Sequence, residues 1–291
     1  MKISNVLVPV DFSPPSKLAV DYGVALARSL RATLTLLHVV EYPSMAADPN
    51  QCNEDALKLS ALLGSEDKGD LNVQTVVKVG DVHDQIHSTL REVNADFIVL
   101  GTHGRGLLGR AFVGSVTQKM LRKLHVPVLT VCHVTGPLKF GRILFASDLS
   151  AAAQEAFGFA LELAAQTKSD LTVLHVMDYP GLNYGVLEAD TSVREELADI
   201  ARSRVDEMAA RAKERGVTVE TLLVRGKAAE EILKAAEKND ANLILLAIEQ
   251  KGLIEKTFLG STAERVVRDA YVPVLSVPVT VAEEKERRLA S

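Results

Sequence analysis

The sequence predicts two consecutive α/β units, each a doubly wound, Rossmann-like parallel sheet of five strands, related to each other by a pseudo-two-fold axis. Three observations carry that prediction. First, the chain repeats itself: "NVLVPVDFS" (5–13) returns as "RILFASDLS" (142–150), "LTLLHVVEYP" (34–43) as "LTVLHVMDYP" (171–180), and "HVPVLTV" (125–131) as "YVPVLSV" (271–277). Second, short runs rich in β-branched residues alternate with longer amphipathic stretches, the pattern of a sheet buried on both faces by crossover helices. Third, Gly136-Pro137 breaks any regular element at the seam, which divides the chain into domains 1–136 and 137–291.

In the first copy the strands fall near 5–10, 33–39, 72–78, 96–100 and 126–131, with helices near 14–30, 53–63, 82–93 and 115–124. Ser13 ahead of Pro14-Pro15 is a good N-cap followed by a residue suited to the first helical turn. Leu18, Tyr22, Ala25, Leu26 and Leu30 give that helix an apolar stripe. The early pairs of repeated phrases lie 137 residues apart and the later pairs 146, so the second copy carries nine extra residues between His175 and Gly226. The last strands, 126–131 and 272–277, are almost uniformly apolar and are not expected to stand as bare edges.

Composition narrows the function classes. Across 291 residues, 47% are apolar and 24% charged, with no Trp, so the cores must be built from Ala, Val, Leu and Ile. A net charge of −5 and the lack of a basic run argue against nucleic acid as a partner. Apolar runs such as "LILLAI" are too short to span a bilayer, and Asp11 follows the opening run too soon for a signal peptide. Cys52 and Cys132 are too few for a disulfide framework, and a cytoplasmic chain with inert thiols is expected.

The stretch "GTHGRGLLGRAFVGSVT" (101–117) holds five glycines and no acid. Its "GRGLLG" matches G-x-G-x-x-G, yet it follows the fourth strand, opens no helix and has no acid about twenty residues on for a ribose. "GRAFVGSV" has the glycine spacing of a P-loop, but Ser115 and Val116 stand where Lys and Ser/Thr are required. A third spacing, G-x2-G-x9-G-[ST], is met by Gly101, Gly104, Gly114 and Ser115. Gly114-Ser115 would open the last helix, whose free N–H groups and dipole favour an anion. Ser115 and Thr117 add hydroxyls, and Arg105 and Arg110 would screen phosphate charge. The competing reading is a plain glycine-rich surface loop.

With "VLVPVDFS", "LLHVVE", "GTHG", "GS" and "HVPVLTV" in order, the chain resembles the tandem universal stress proteins, and its first copy the ATP-binding subgroup. That resemblance implies the adenine nucleotide alpha hydrolase-like fold, ATP with magnesium as ligand, and a nucleotide-dependent regulator of stress response. It places Asp11 near adenine and ribose or on the metal, and the Val39 backbone at the adenine edge. Gly101, Gly104, Gly114, Ser115, Val116 and Thr117 would cradle ribose and phosphates. It further implies pairing of the final strands, a homodimer of tandem chains and a client protein of unknown identity. The alternative is a slow ATP hydrolase or nucleotidyl transferase, for which His103 would be the water-positioning base.

The second copy has Ala247 for Gly101, Glu249 for His103, Gln250 for Gly104 and Ala263 for Thr117, keeping only Gly260 and Ser261. A carboxylate beside bound phosphates costs on the order of 1–4 kcal/mol in a half-buried site. One nucleotide per chain, held by the first copy, is expected. "HDQIH" places His83 and His87 four apart on one helix face, where exposed histidines are expected in preference to zinc ligands.

Overall fold

The computed structural model describes residues 3–41, 49–64, 71–102, 113–131, 139–178, 191–250 and 259–280. By contacts the chain divides into two units. The first takes in 1–138 with 257–259 and 267–278; the second takes in 139–256 with 260–266 and 279–291.

In the first unit the elements follow the predicted alternation: β1 (Asn5–Pro9), α1 (Pro14–Leu30), β2 (Thr33–Val40), α2 (Pro49–Ala61), β3 (Val73–Val79), α3 (Val82–Glu92), β4 (Phe97–Gly101), α4 (Ser115–Lys123) and β5 (Val128–Val131). The strands stand in the order β3-β2-β1-β4-β5, all parallel. Winding runs outward from β1 through β2 to β3, then returns to the other side of β1 as β4. The junction of β1 and β4 is therefore the switch point, where such sheets take their ligands at the carboxyl ends.

Local chemistry sets the helix ends. The Ser13 hydroxyl accepts the Ser16 N–H at the start of α1, and Arg31, at φ 55°, closes its carboxyl end. The buried face of α1 is broader than the predicted stripe. Tyr22 and Leu26 are buried, Leu18, Ala25 and Leu30 only half-buried, and Ala19, Val20, Gly23, Val24 and Ala27 complete the face. The small residues are what let the helix press close. A Cβ on Gly23 would stand 2.5 Å from a methyl of Val8, so the helix approaches β1 more closely than any larger residue permits.

The second unit repeats the plan with β6 (Arg142–Ser147), α5 (Ala151–Thr167), β7 (Asp170–Met177), α6 (Thr191–Glu214), β8 (Val219–Arg225), α7 (Ala228–Lys238), β9 (Leu243–Glu249) and most of α8 (Ser261–Asp269). Its strands run β9-β6-β7-β8, again parallel. β10 (Val274–Val279) belongs by sequence to the second copy, but nearly all of it groups with the first unit. There it lies antiparallel to β5, with Val274 opposite Thr130 and Ser276 opposite Val128, and the Thr130 hydroxyl donates to the Val274 carbonyl. The final strands thus pair with each other, as their apolar edges require. Among the described residues no helix is long and apolar enough to cross a membrane.

Candidate functional site

At the carboxyl end of β1 the chain turns sharply. Phe12 sits at φ 63°, and the Asp11 carboxylate accepts the Ser13 N–H at 2.9 Å, an Asx turn that hands the chain to the α1 cap. The second copy builds the same turn from Asp148, Leu149 at φ 63° and Ser150, again at 2.9 Å. Asp11 therefore has structural work, as its counterpart Asp148 has in the second copy, whatever it holds besides.

Sequence reasoning passed over a second feature of this corner. The His38 Nδ1–H of β2 donates to the Val10 carbonyl at 2.7 Å, while Nε2 lies 3.8 Å from the buried Asp55 carboxylate on α2. Burial pushes the Asp55 carboxyl up, but hydrogen bonds from Lys58 and Gln51 and the charge of His38 outweigh it and hold the group below its usual range. Phe12 rests on the His38 ring at 4.6 Å between centroids. His175 makes the matching bond to the Ser147 carbonyl at 2.8 Å. The signal available beforehand was the histidine recurring at one phase in "LLHVV" and "VLHVM". Val39, next along β2, is half-buried and pairs with Lys78 of β3.

Across β1 lies β4, which ends at Gly101. A Cβ there would stand 2.6 Å from the Pro15 carbonyl oxygen at the start of α1. Glycine is thus required by a helix, before any ligand is considered. From Gly101 the chain is stitched to α4. Thr102 N–H donates to Val131 O at 3.1 Å, Gly114 N–H to Thr102 O at 2.6 Å, and the buried Thr117 hydroxyl to Gly101 O at 2.9 Å. The Thr117 proton is committed to this bond, so the hydroxyl has only its lone pairs to offer a ligand. Gly104 and Arg105, with His103 and Arg110, lie outside the described residues.

Gly114 caps α4 with no side chain to satisfy the first turn. Its carbonyl accepts Gln118 N–H, leaving the N–H groups of Ser115, Val116 and Thr117 without an intrahelical acceptor at the positive end of the helix. The dihedrals of Gly114 are φ −57° and ψ 147°, which any residue adopts. Its counterpart Gly260 stands at φ +76°. The same letter thus answers two demands: Gly260 is needed for its backbone angle, whereas nothing in the backbone of Gly114 asks for glycine. Around Gly260 the corner is altered too, with Ala247 half-buried, Glu249 exposed, and Gln250 buried and bonded through its N–H to Val279 O.

The structure therefore brings Asp11, Val39, Gly101, Gly114, Ser115, Val116 and Thr117 to one edge of the first unit, on β1, β2, β4 and α4. The histidine pair on α3 differs from expectation. His83 and His87 are half-buried rather than exposed, and the His83 Nδ1 is buried with no hydrogen-bond partner. The reason lies in packing: α3 stands against α4, whose Lys119 and Lys123 are near enough for their charges to act on the rings. Among the described residues no three His, Cys, Asp or Glu side chains gather as a metal site.

Comparison with known proteins agrees along nearly the whole chain. The universal stress protein family model matches residues 2–131 and again 139–278. A universal stress protein of Mycolicibacterium smegmatis is 28% identical over 294 residues, covering 94% of this chain and 96% of the relative. One from Mycobacterium tuberculosis is 26% identical over 302 residues, covering 94% and 97%. Among solved structures, a universal stress protein from Archaeoglobus fulgidus superposes with a TM-score of 0.70 at 23% identity, over 96% of this chain and 99% of that one, and so shares the fold.

Proposed function

Since the chain belongs to the universal stress protein family, matched twice in tandem, we propose that its first domain, residues 1–136, binds one ATP and that the second, 137–291, does not. The observation that carries this reading is the contrast at the α4 and α8 caps. Gly114 is glycine without a reason in its backbone angles, at a helix N-terminus whose first three N–H groups have no intrahelical acceptor, which is where a phosphate would need the room. Gly260 is glycine for its φ of +76°, and in its copy Ala247 and Glu249 stand in place of Gly101 and His103.

Asp11 and Val39 would meet the nucleoside end of the ligand, and Gly101, Ser115, Val116 and Thr117, with Gly104 and Arg105, the ribose and phosphates. Magnesium fits only as a companion of the nucleotide. The corner offers one carboxylate, Asp11, and this ion is held readily by one or two carboxylates together with phosphate oxygens and water. In this reading the chain is a cytoplasmic regulator of stress response, a homodimer that signals nucleotide occupancy to a client protein without turnover. Amide hydrogen exchange tests it. Adding ATP with magnesium should slow exchange at 113–117 and leave 259–263 unchanged. Equal protection in both copies, or in neither, overturns the reading.

A further inference from the structure

The first unit carries a strip of cations that the acids among its described residues do not pair with. Along α3, His83, His87 and Arg91 recur every four residues on one face; α4, packed against it, adds Lys119, Arg122 and Lys123, followed by His125. Among the described residues Arg91, Lys119, Arg122 and Lys123 form no ion pair. The Arg122 Nε and His83 Nδ1 are buried and unpartnered. Of the acids nearby, Asp81 caps the helix through the His83 and Asp84 N–H groups, and Glu92 is tied to Lys78 of β3 at 2.7 Å, leaving Asp84.

The second copy has dismantled the strip. Ala229, Leu233 and Glu237 replace His83, His87 and Arg91, and Asp269 replaces Lys123. Its arginines are paired, Arg265 with Glu230 at 3.2 Å and Arg268 with Asp269 at 2.8 Å. Both copies share one fold, so the fold does not require the unpaired cations of the first.

We propose that the α3–α4 face of the first unit is a docking strip for an extended, carboxylate-rich segment of a partner protein, and that docking tightens as pH falls. Spacing selects the occupant. Steps of four residues on α3 are about 6 Å long, and the whole strip about 12 Å. Same-side residues of an extended chain lie about 6.7 Å apart, so acids at alternate positions meet successive steps, whereas a lone phosphate reaches one. Burial, followed by Lys119 and Lys123 against Asp81 and Asp84, holds the His83 imidazole below its ordinary value. Burial, followed by Arg91, Lys123 and His125 against Asp84, does the same for His87. Both rings are then neutral near pH 7, and an arriving carboxylate favours their protonated forms. Binding takes up protons, and acid strengthens it. The strip stands whether or not ATP binds at the α4 cap.

The test uses the full chain and a fluorescent peptide of alternating Glu and Ser, followed by anisotropy at low salt at pH 7.5 and pH 6.0. Removing three contacts in Arg91→Gln/Lys119→Gln/Lys123→Gln should weaken binding about tenfold, and Arg265→Gln in the second copy should leave it unchanged. His83→Gln/His87→Gln should keep the affinity at pH 7.5 but lose the gain at pH 6.0. Circular dichroism confirms folding of each variant. Unchanged binding by the triple variant overturns the proposal. Displacement of the peptide by equimolar inorganic phosphate does so too, in favour of a lone-anion site. Stronger binding of an oligothymidylate of equal length also overturns it, in favour of nucleic acid.

Discussion

Gly114 and Gly260 occupy the same place in the two copies, and the structure predicts that replacing each by alanine gives opposite results. At Gly260 the φ of +76° places a Cβ against its own backbone, with no neighbour within 4 Å of where it would sit. The cost is therefore conformational, about 1–2 kcal/mol for a single left-handed non-glycine residue. In a unit of this size each kcal/mol shifts the midpoint by about 2–4 °C, so Gly260→Ala should melt about 2–8 °C lower. At Gly114, φ −57° and ψ 147° suit alanine. Losing a tolerated N-cap costs a few tenths of a kcal/mol, and the stiffer unfolded chain returns about as much, so Gly114→Ala should melt within about 2 °C of the parent. Thermal unfolding followed by circular dichroism reads both. In the same samples an ATP titration should weaken for Gly114→Ala and stay unchanged for Gly260→Ala. Equal destabilisation by both, or loss of ATP affinity only at Gly260, would refute the reasoning.

Two further outcomes follow from the same geometry. Gly101→Ala brings a Cβ to within 2.6 Å of the Pro15 carbonyl; the forced shift of α1 should cost about 1–3 kcal/mol, seen as an earlier melt even without nucleotide. His83 and His87 titrate below their ordinary value in the folded chain, so on acidification the unfolded chain takes up protons first. Their stabilising effect is complete above about pH 6.5 and is lost as pH falls through the folded values. His87→Gln should flatten the decline of the melting temperature between about pH 6.5 and pH 5, and an unchanged slope would count against it.

Much of the architecture was legible because the chain says it twice. The repeated "DFS" and "DLS" mark one Asx turn and one cap, and the final strands, too apolar for bare edges, pair with each other as the family resemblance implies. What spacing conceals is why a residue is there. Gly101, Gly114 and Gly260 read alike as letters; only the fold separates a glycine pressed on Pro15, one at ordinary angles and one at positive φ. Thr117 reads as a free hydroxyl, and only the stitching of α4 to β4 shows its proton already spent. One histidine in an apolar strand has no local pattern, and the partners of His38, Val10 and Asp55, come from distant segments, so only its recurrence as His175 marks it in the sequence. The α3 histidines read as exposed because α4, which packs against α3, lies some thirty residues further on.

Isothermal titration of the full chain with ATP and magnesium tests the central claim most directly, because the claim is a number. One site per chain is predicted, held by the first copy and weakened in Gly114→Val while the helical circular dichroism stays close to that of the parent. Two equivalent sites, or a single site that survives Gly114→Val and disappears on a change at Gly260, would contradict it.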